Sequence, residues 1–158
     1  MRIALLTAIA AILTFSGINA AQAPPPDALP SVPDGDGAWT IRISTSGGFT
    51  GRGRGSVTMT SQGNLSCLKT SRPCTEKLVD DKLRPVARLV SSFDPSKWAS
   101  PTPQENMVCN DCITTTVTFA RREGGKLKIK SLSWNDATQI KAPSDVVRIV
   151  EMALSGNW

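Results

Sequence analysis

Apolar and polar residues alternate at period two on both sides of a glycine-rich stretch between Trp39 and Thr60. Trp39, Ile41 and Ile43 fall in one phase before it, and Val57 and Met59 in one phase after it. That is the pattern of half-buried strands. Between them lies Ser46-Gly47-Gly48-Phe49-Thr50-Gly51-Arg52-Gly53-Arg54-Gly55. Its five glycines permit backbone conformations closed to other residues, so the stretch predicts a hairpin. An apolar ring at such a tip either tucks under the loop or meets a partner.

Gly63-Asn64 then predicts a turn, and Leu65 to Cys74 a loop. From Asp80 or Asp81 the period changes to that of a helix, with Leu83, Val86, Val90 and Phe93 on one stripe. Either aspartate suits the positive helix pole and is a candidate cap. Asp94-Pro95 stops it, and residues 100–107 read as a loop. Ile113, Thr115, Val117 and Phe119 alternate in a strand rich in β-branched residues. Glu123-Gly124-Gly125 turns the chain into a strand over Lys126–Trp134. There Leu127 and Ile129 are out of phase with Leu132 and Trp134, which predicts a bulge and places Lys126, Lys128 and Lys130 on the outer face. Ser144 is a candidate cap for a last helix with Val146, Ile149, Val150, Ala153 and Leu154 buried, ended by Gly156. The expected fold is α+β: a four-stranded antiparallel sheet of two hairpins, in the order β-β-α-β-β-α. Both helices cover one face, and threonines and lysines line the other.

The ends of the chain differ from this pattern. Ile3–Phe15 is an apolar run behind Met1-Arg2, too short to span a bilayer, followed by small residues. Residues 1–20 are expected to be a signal peptide cut after Ala20, making the protein secreted or periplasmic. Residues 21–37 hold Pro24, Pro25, Pro26, Pro30 and Pro33, three aspartates and no base, and read as a Pro-rich linker. The packed domain is expected over 38–158.

Composition then narrows the chemistry. The chain has 158 residues, a net charge of +5 and no histidine. Removing Arg2 from its 18 bases and Asp27, Asp34 and Asp36 from its 13 acids leaves the domain at +7. Without histidine, no Ser-His, Cys-His or His-metal mechanism is available within the chain. Asp111 and Asp136 are loop acids with no second group to give either a role, so no enzyme is expected. Cys67, Cys74, Cys109 and Cys112 are an even set behind a leader, which favours two structural disulfides. The local pairs Cys67–Cys74 and Cys109–Cys112 are preferred, with crossed pairings open. A zinc site is disfavoured because six residues separate Cys67 from Cys74. A redox Cys-x-x-Cys ordinarily opens a helix, whereas Cys112 precedes a strand. The glycine loop joins two strands and lacks a following Gly-Lys-Ser/Thr, so no nucleotide is expected. The absence of tyrosine and the few aromatics argue against nucleic-acid stacking. No cofactor or metal is expected, and the chain is expected to be a monomer.

The motif order resembles that of the emfourin-type proteins, small inhibitors of thermolysin-like zinc metallopeptidases. The likeness runs from about Trp39 to Leu154. It rests on Ser46-Gly47-Gly48-Phe49-Thr50-Gly51 after a first strand and on the Leu83/Val86/Val90 helix. Asp111 before a Thr/Val-rich strand, the second hairpin and Ala142-Pro143-Ser144 entering the final helix complete it. The leader, the linker and the four cysteines are additions to that pattern. The resemblance implies an α+β fold and inhibition by occlusion of a protease cleft. Gly47, Gly48, Phe49, Thr50, Gly51, Arg52 and Arg54 are then the expected contact residues, with Trp134 as a further candidate because tryptophan is enriched at binding hot spots. The competing expectation is a non-enzymatic envelope module whose basic face meets an anionic polymer or a protein partner.

Overall fold

A computed structural model describes residues 30–49, 53–68, 74–98, 111–136 and 142–156. The chain runs β1 (Trp39–Gly47), β2 (Gly55–Thr60), β3 (Asn64–Leu68), β4 (Thr75–Lys77), α1 (Asp80–Ser91), a 3-10 turn (Pro95–Lys97), β5 (Ile113–Glu123), β6 (Lys126–Asn135) and α2 (Ser144–Ser155). The strands form one antiparallel sheet in the order β4-β3-β2-β1-β5-β6.

The expected four-stranded sheet is therefore corrected to six strands, in the order β-β-β-β-α-β-β-α. The two added strands come from the stretch read as a turn and a cysteine loop. β3 is short, with Leu65 buried and Cys67 half-buried between exposed neighbours. β4 is three residues long and carries no apolar alternation of its own. Its place comes from backbone pairing to β3 and from the Cys67–Cys74 disulfide, where the Cys67 amide also donates to the Cys74 carbonyl at 2.9 Å. These are long-range constraints, which side-chain periodicity does not encode.

The bulge expected in the last hairpin is also absent. The β5–β6 register is unbroken from Thr114↔Asn135 to Glu123↔Lys126. Lys126, Lys128 and Lys130 therefore share the face of Leu132 and Trp134, while Leu127 and Ile129 lie on the opposite face, 44% and 37% exposed. The apparent phase change records where the core ends along β6. Leu132 is buried, whereas Lys126–Ser131 are exposed on both faces. The outer face of the sheet is instead a field of hydroxyls, including Ser44, Ser56 and Thr58. Thr116 and Ser133 approach at 2.8 Å and Thr118 and Ser131 at 3.0 Å across β5 and β6.

Both helices supply apolar stripes to one core. Val86 and Val90 of α1 and Val146, Ile149, Val150 and Ala153 of α2 are buried with Ile41, Ile43, Val57, Met59, Val117 and Phe119 of the sheet. Burial of such side chains stabilises by about 1.5–3 kcal/mol each before entropy is counted. Phe93 meets Trp98 and Phe119 edge-on with centroids 5.7 Å apart, and Trp98 lies tilted against Phe119 at 6.2 Å, tying the chain after α1 to the sheet. The helix starts lack the expected side-chain caps. Val79 and Pro143 occupy the capping positions, and Asp80, Asp81 and Ser144 are already helical. The aspartates still favour the positive pole of α1. Gly156 closes α2 in the left-handed conformation, as expected.

Residues 30–37, within the stretch read as linker, lie along the β5 side of the sheet. The Thr40 hydroxyl donates to the Ser31 carbonyl at 2.7 Å. Arg122 Nε donates to the Pro33 carbonyl at 3.2 Å, and its Nη2 lies 3.6 Å from Asp34. Asp36 accepts from the Gly124 amide at 2.8 Å. Residues 1–29, including the expected leader and its cleavage point, lie outside the described residues. Among the described residues no helix is long and apolar enough to cross a membrane.

Candidate functional site

Strand direction divides the sheet into two ends. The turns at Ser61–Gly63 and Gly124–Gly125, the start of β1 and the start of α1 sit at one end. At the other end are the β1–β2 tip, the Cys67–Cys74 hairpin, the start of β5 and the end of β6.

The neck of the β1–β2 tip is built around Thr45. It continues the inward phase of Ile41 and Ile43, so its hydroxyl is buried. That hydroxyl accepts from the Arg54 amide at 2.6 Å and donates to the Gly55 carbonyl at 3.0 Å. One residue further out, the Gly53 amide donates to the Gly47 carbonyl at 2.8 Å. The third support comes from β5: the Gly48 amide donates to the Cys112 carbonyl at 3.1 Å, and Gly47 pairs with Ile113. Two glycines are required by this geometry. Gly47 has φ +87°, and a Cβ there would fall onto the Cys112 carbonyl oxygen. Gly53 has φ +61°, and a Cβ would lie 2.5 Å from the Thr45 carbonyl. Both positions combine a conformation that other residues resist with a close backbone approach.

Phe49 stands on this neck with 95% of its surface exposed. Of the two outcomes expected for the ring, burial beneath its own loop is not the one observed. Arg54 is exposed beside the neck. Thr50, Gly51 and Arg52 lie outside the described residues. Trp134 pairs with Thr115 across β5 and β6 and is half-buried against the core. It lies at the same end of the sheet as the tip, but among the described residues no ring contact joins it to Phe49.

Cys112, whose carbonyl supports the tip, is itself disulfide-bonded. Cys109 lies outside the described residues. The Asp136 amide donates to the Ile113 carbonyl at 3.2 Å, so the start of β5 is held between the tip and the end of β6. Thr45 and the Cys112 carbonyl were missed in the sequence. A threonine in the apolar phase next to the glycines was a usable signal for the first. Nothing in the residue types announces a carbonyl.

The arrangement presents an exposed aromatic ring on a hydrogen-bonded neck. Among the described residues no cluster of three or more His, Cys, Asp or Glu side chains could hold a metal. The displaced acid pKa values belong elsewhere. A hydrogen bond from Lys128 holds Glu123 below the usual carboxylate range, and hydrogen bonds from Ser96 and Lys97 do the same for Asp94. An open groove of about 590 Å³ lies at the opposite end of the sheet, lined by Lys77, Leu78, Val79, Asp80, Asp81 and Arg84. It holds charges of both signs. No protein-family model, curated protein or solved structure matches the chain.

Proposed function

We propose that this protein is a secreted inhibitor of a thermolysin-like zinc metallopeptidase, and that its Gly47–Arg54 tip occludes the protease cleft. The carrying observation is the Phe49 ring, 95% exposed on a neck tied by Thr45, Gly47 and Gly53. A large apolar ring held in water is unfavourable unless a partner covers it. The tied neck keeps down the entropy lost on docking, which otherwise subtracts from affinity. A thermolysin-like enzyme accepts bulky apolar side chains at its main subsite, and Phe49 fits that chemistry. The zinc belongs to the target, and occlusion needs no catalytic group from the inhibitor.

Export is part of the same proposal. It is supported by the leader-like residues 1–20 and by the Cys67–Cys74 disulfide, a bond that persists in oxidising compartments. The competing anionic-polymer reading is weakened by local neutralisation. Lys128 lies 2.6 Å from Glu123, Arg121 lies 3.6 Å from the same carboxylate, and Arg122 faces Asp34.

The test is a panel of purified peptidases. Thermolysin-like enzymes should be inhibited stoichiometrically, and serine and cysteine peptidases should not. Equal inhibition of all classes, or of none, would remove the proposal.

A further inference from the structure

β6 ends the sheet, and among the described residues no strand pairs with its outer edge. Which of its backbone groups face outward follows from the turn. Gly124 and Gly125 have φ +57° and +74°, a two-residue turn of the mirror-image type, so Glu123 and Lys126 exchange both their hydrogen bonds. Alternation then turns the even-numbered residues of β6 toward β5. The Asp136 amide bonded to the Ile113 carbonyl continues that series. The N–H and C=O groups of Leu127, Ile129, Ser131 and Ser133 are left pointing outward.

Lysines on an edge strand ordinarily discourage pairing, because a second strand of the same sequence brings like charges together. On β6 this depends on register. A twofold axis at Ile129 sets Lys128 opposite Lys130, and one at Lys130 sets that lysine opposite its own copy. An axis at Ser131 does neither. It sets Lys126 opposite Asp136, Lys128 opposite Trp134 and Lys130 opposite Leu132, each pair occurring twice. It also sets Ile129 opposite Ser133 and Ser131 opposite its own copy, so outward-pointing groups meet one another. Lys126 and Asp136 are both exposed.

We infer that β6 pairs antiparallel with β6 of a second copy, centred on Ser131, to form a homodimer with one continuous twelve-stranded sheet. Opposite charges meet at both ends of the seam. The two Phe49 tips then sit at opposite ends of the joined sheet, so one dimer presents two tips and gains avidity where targets are clustered. The pairing stands independently of the proposed inhibitory role.

Sedimentation equilibrium of the exported chain tests it. A reversible monomer–dimer equilibrium is expected. Lys126→Asp or Asp136→Lys alone should weaken the dimer about tenfold or more, since each turns both end pairs into like-charge pairs. The double variant Lys126→Asp/Asp136→Lys should restore it. Ser131→Pro should abolish the dimer and leave the β5 pairing intact, because the lost N–H points outward. These sites are exposed, and circular dichroism checks that each variant folds. A monomer at the highest soluble concentration would overturn the inference. So would a dimer unchanged by the single substitutions, or a double variant no tighter than either single one.

Discussion

Replacing Thr45 with valine removes one hydroxyl without changing the volume of the side chain. The hydroxyl is buried and serves two backbone groups, the Arg54 amide at 2.6 Å and the Gly55 carbonyl at 3.0 Å. Each net hydrogen bond contributes about 1 kcal/mol, and Val offers no replacement for either beside buried Gly55. Thr45→Val should therefore destabilise the domain by about 2 kcal/mol, which for its size lowers the melting temperature by roughly 6–8 °C. Thr118→Val is the control, because its hydroxyl meets Ser131 on the exposed face and its loss should stay within about 0.5 kcal/mol. Urea titration of both variants gives the energies, and hydrogen exchange of the Arg54 amide locates the effect. That amide should exchange faster in Thr45→Val and at the wild-type rate in Thr118→Val. Equal stability of the two variants, with Arg54 protection unchanged, would refute the claim that Thr45 ties the neck.

Two further outcomes follow from the same geometry. Gly47→Ala and Gly124→Ala both place a side chain at positive φ, which costs about 1–2 kcal/mol. Only Gly47→Ala also drives a Cβ into the Cys112 carbonyl, while Gly124 has open space, so urea midpoints should fall clearly further for Gly47→Ala. Glu123 titrates below its ordinary value of 4.5 because Lys128 hydrogen-bonds its carboxylate and lies beside it. Its contribution to stability is therefore complete above that ordinary value and is lost as pH falls through the lowered one. Lys128→Met should lower stability slightly at neutral pH and leave it unchanged below the lowered value, which flattens the acid limb of a stability–pH curve, and an unchanged acid limb would contradict the pairing.

Both helix stripes, the two long hairpins and the glycine tip were legible because burial alternates regularly there. Val86 and Val90 repeat at helical spacing, and Ile41 and Ile43 at strand spacing, since each faces one continuous core. β3 and β4 were not legible because their pairing depends on neighbours and on a disulfide more than on their own side chains. In β6, lysine does not mark the outer face. It marks solvent instead, and solvent reaches both faces of that strand from Lys126 to Ser131. At the tip, Phe49 and the glycines stood out as residue types. The hydrogen bonds that hold them come from Thr45 and from the carbonyl of Cys112, just before β5 and distant in sequence.

The inhibitory account rests most directly on one ratio: the inhibition constant of Phe49→Ala against that of the wild type on a thermolysin-like peptidase. Phe49 touches little of its own protein, so the variant should fold as the wild type does. The account predicts a loss of more than about 2 kcal/mol, or roughly thirtyfold. A ratio near one would contradict it.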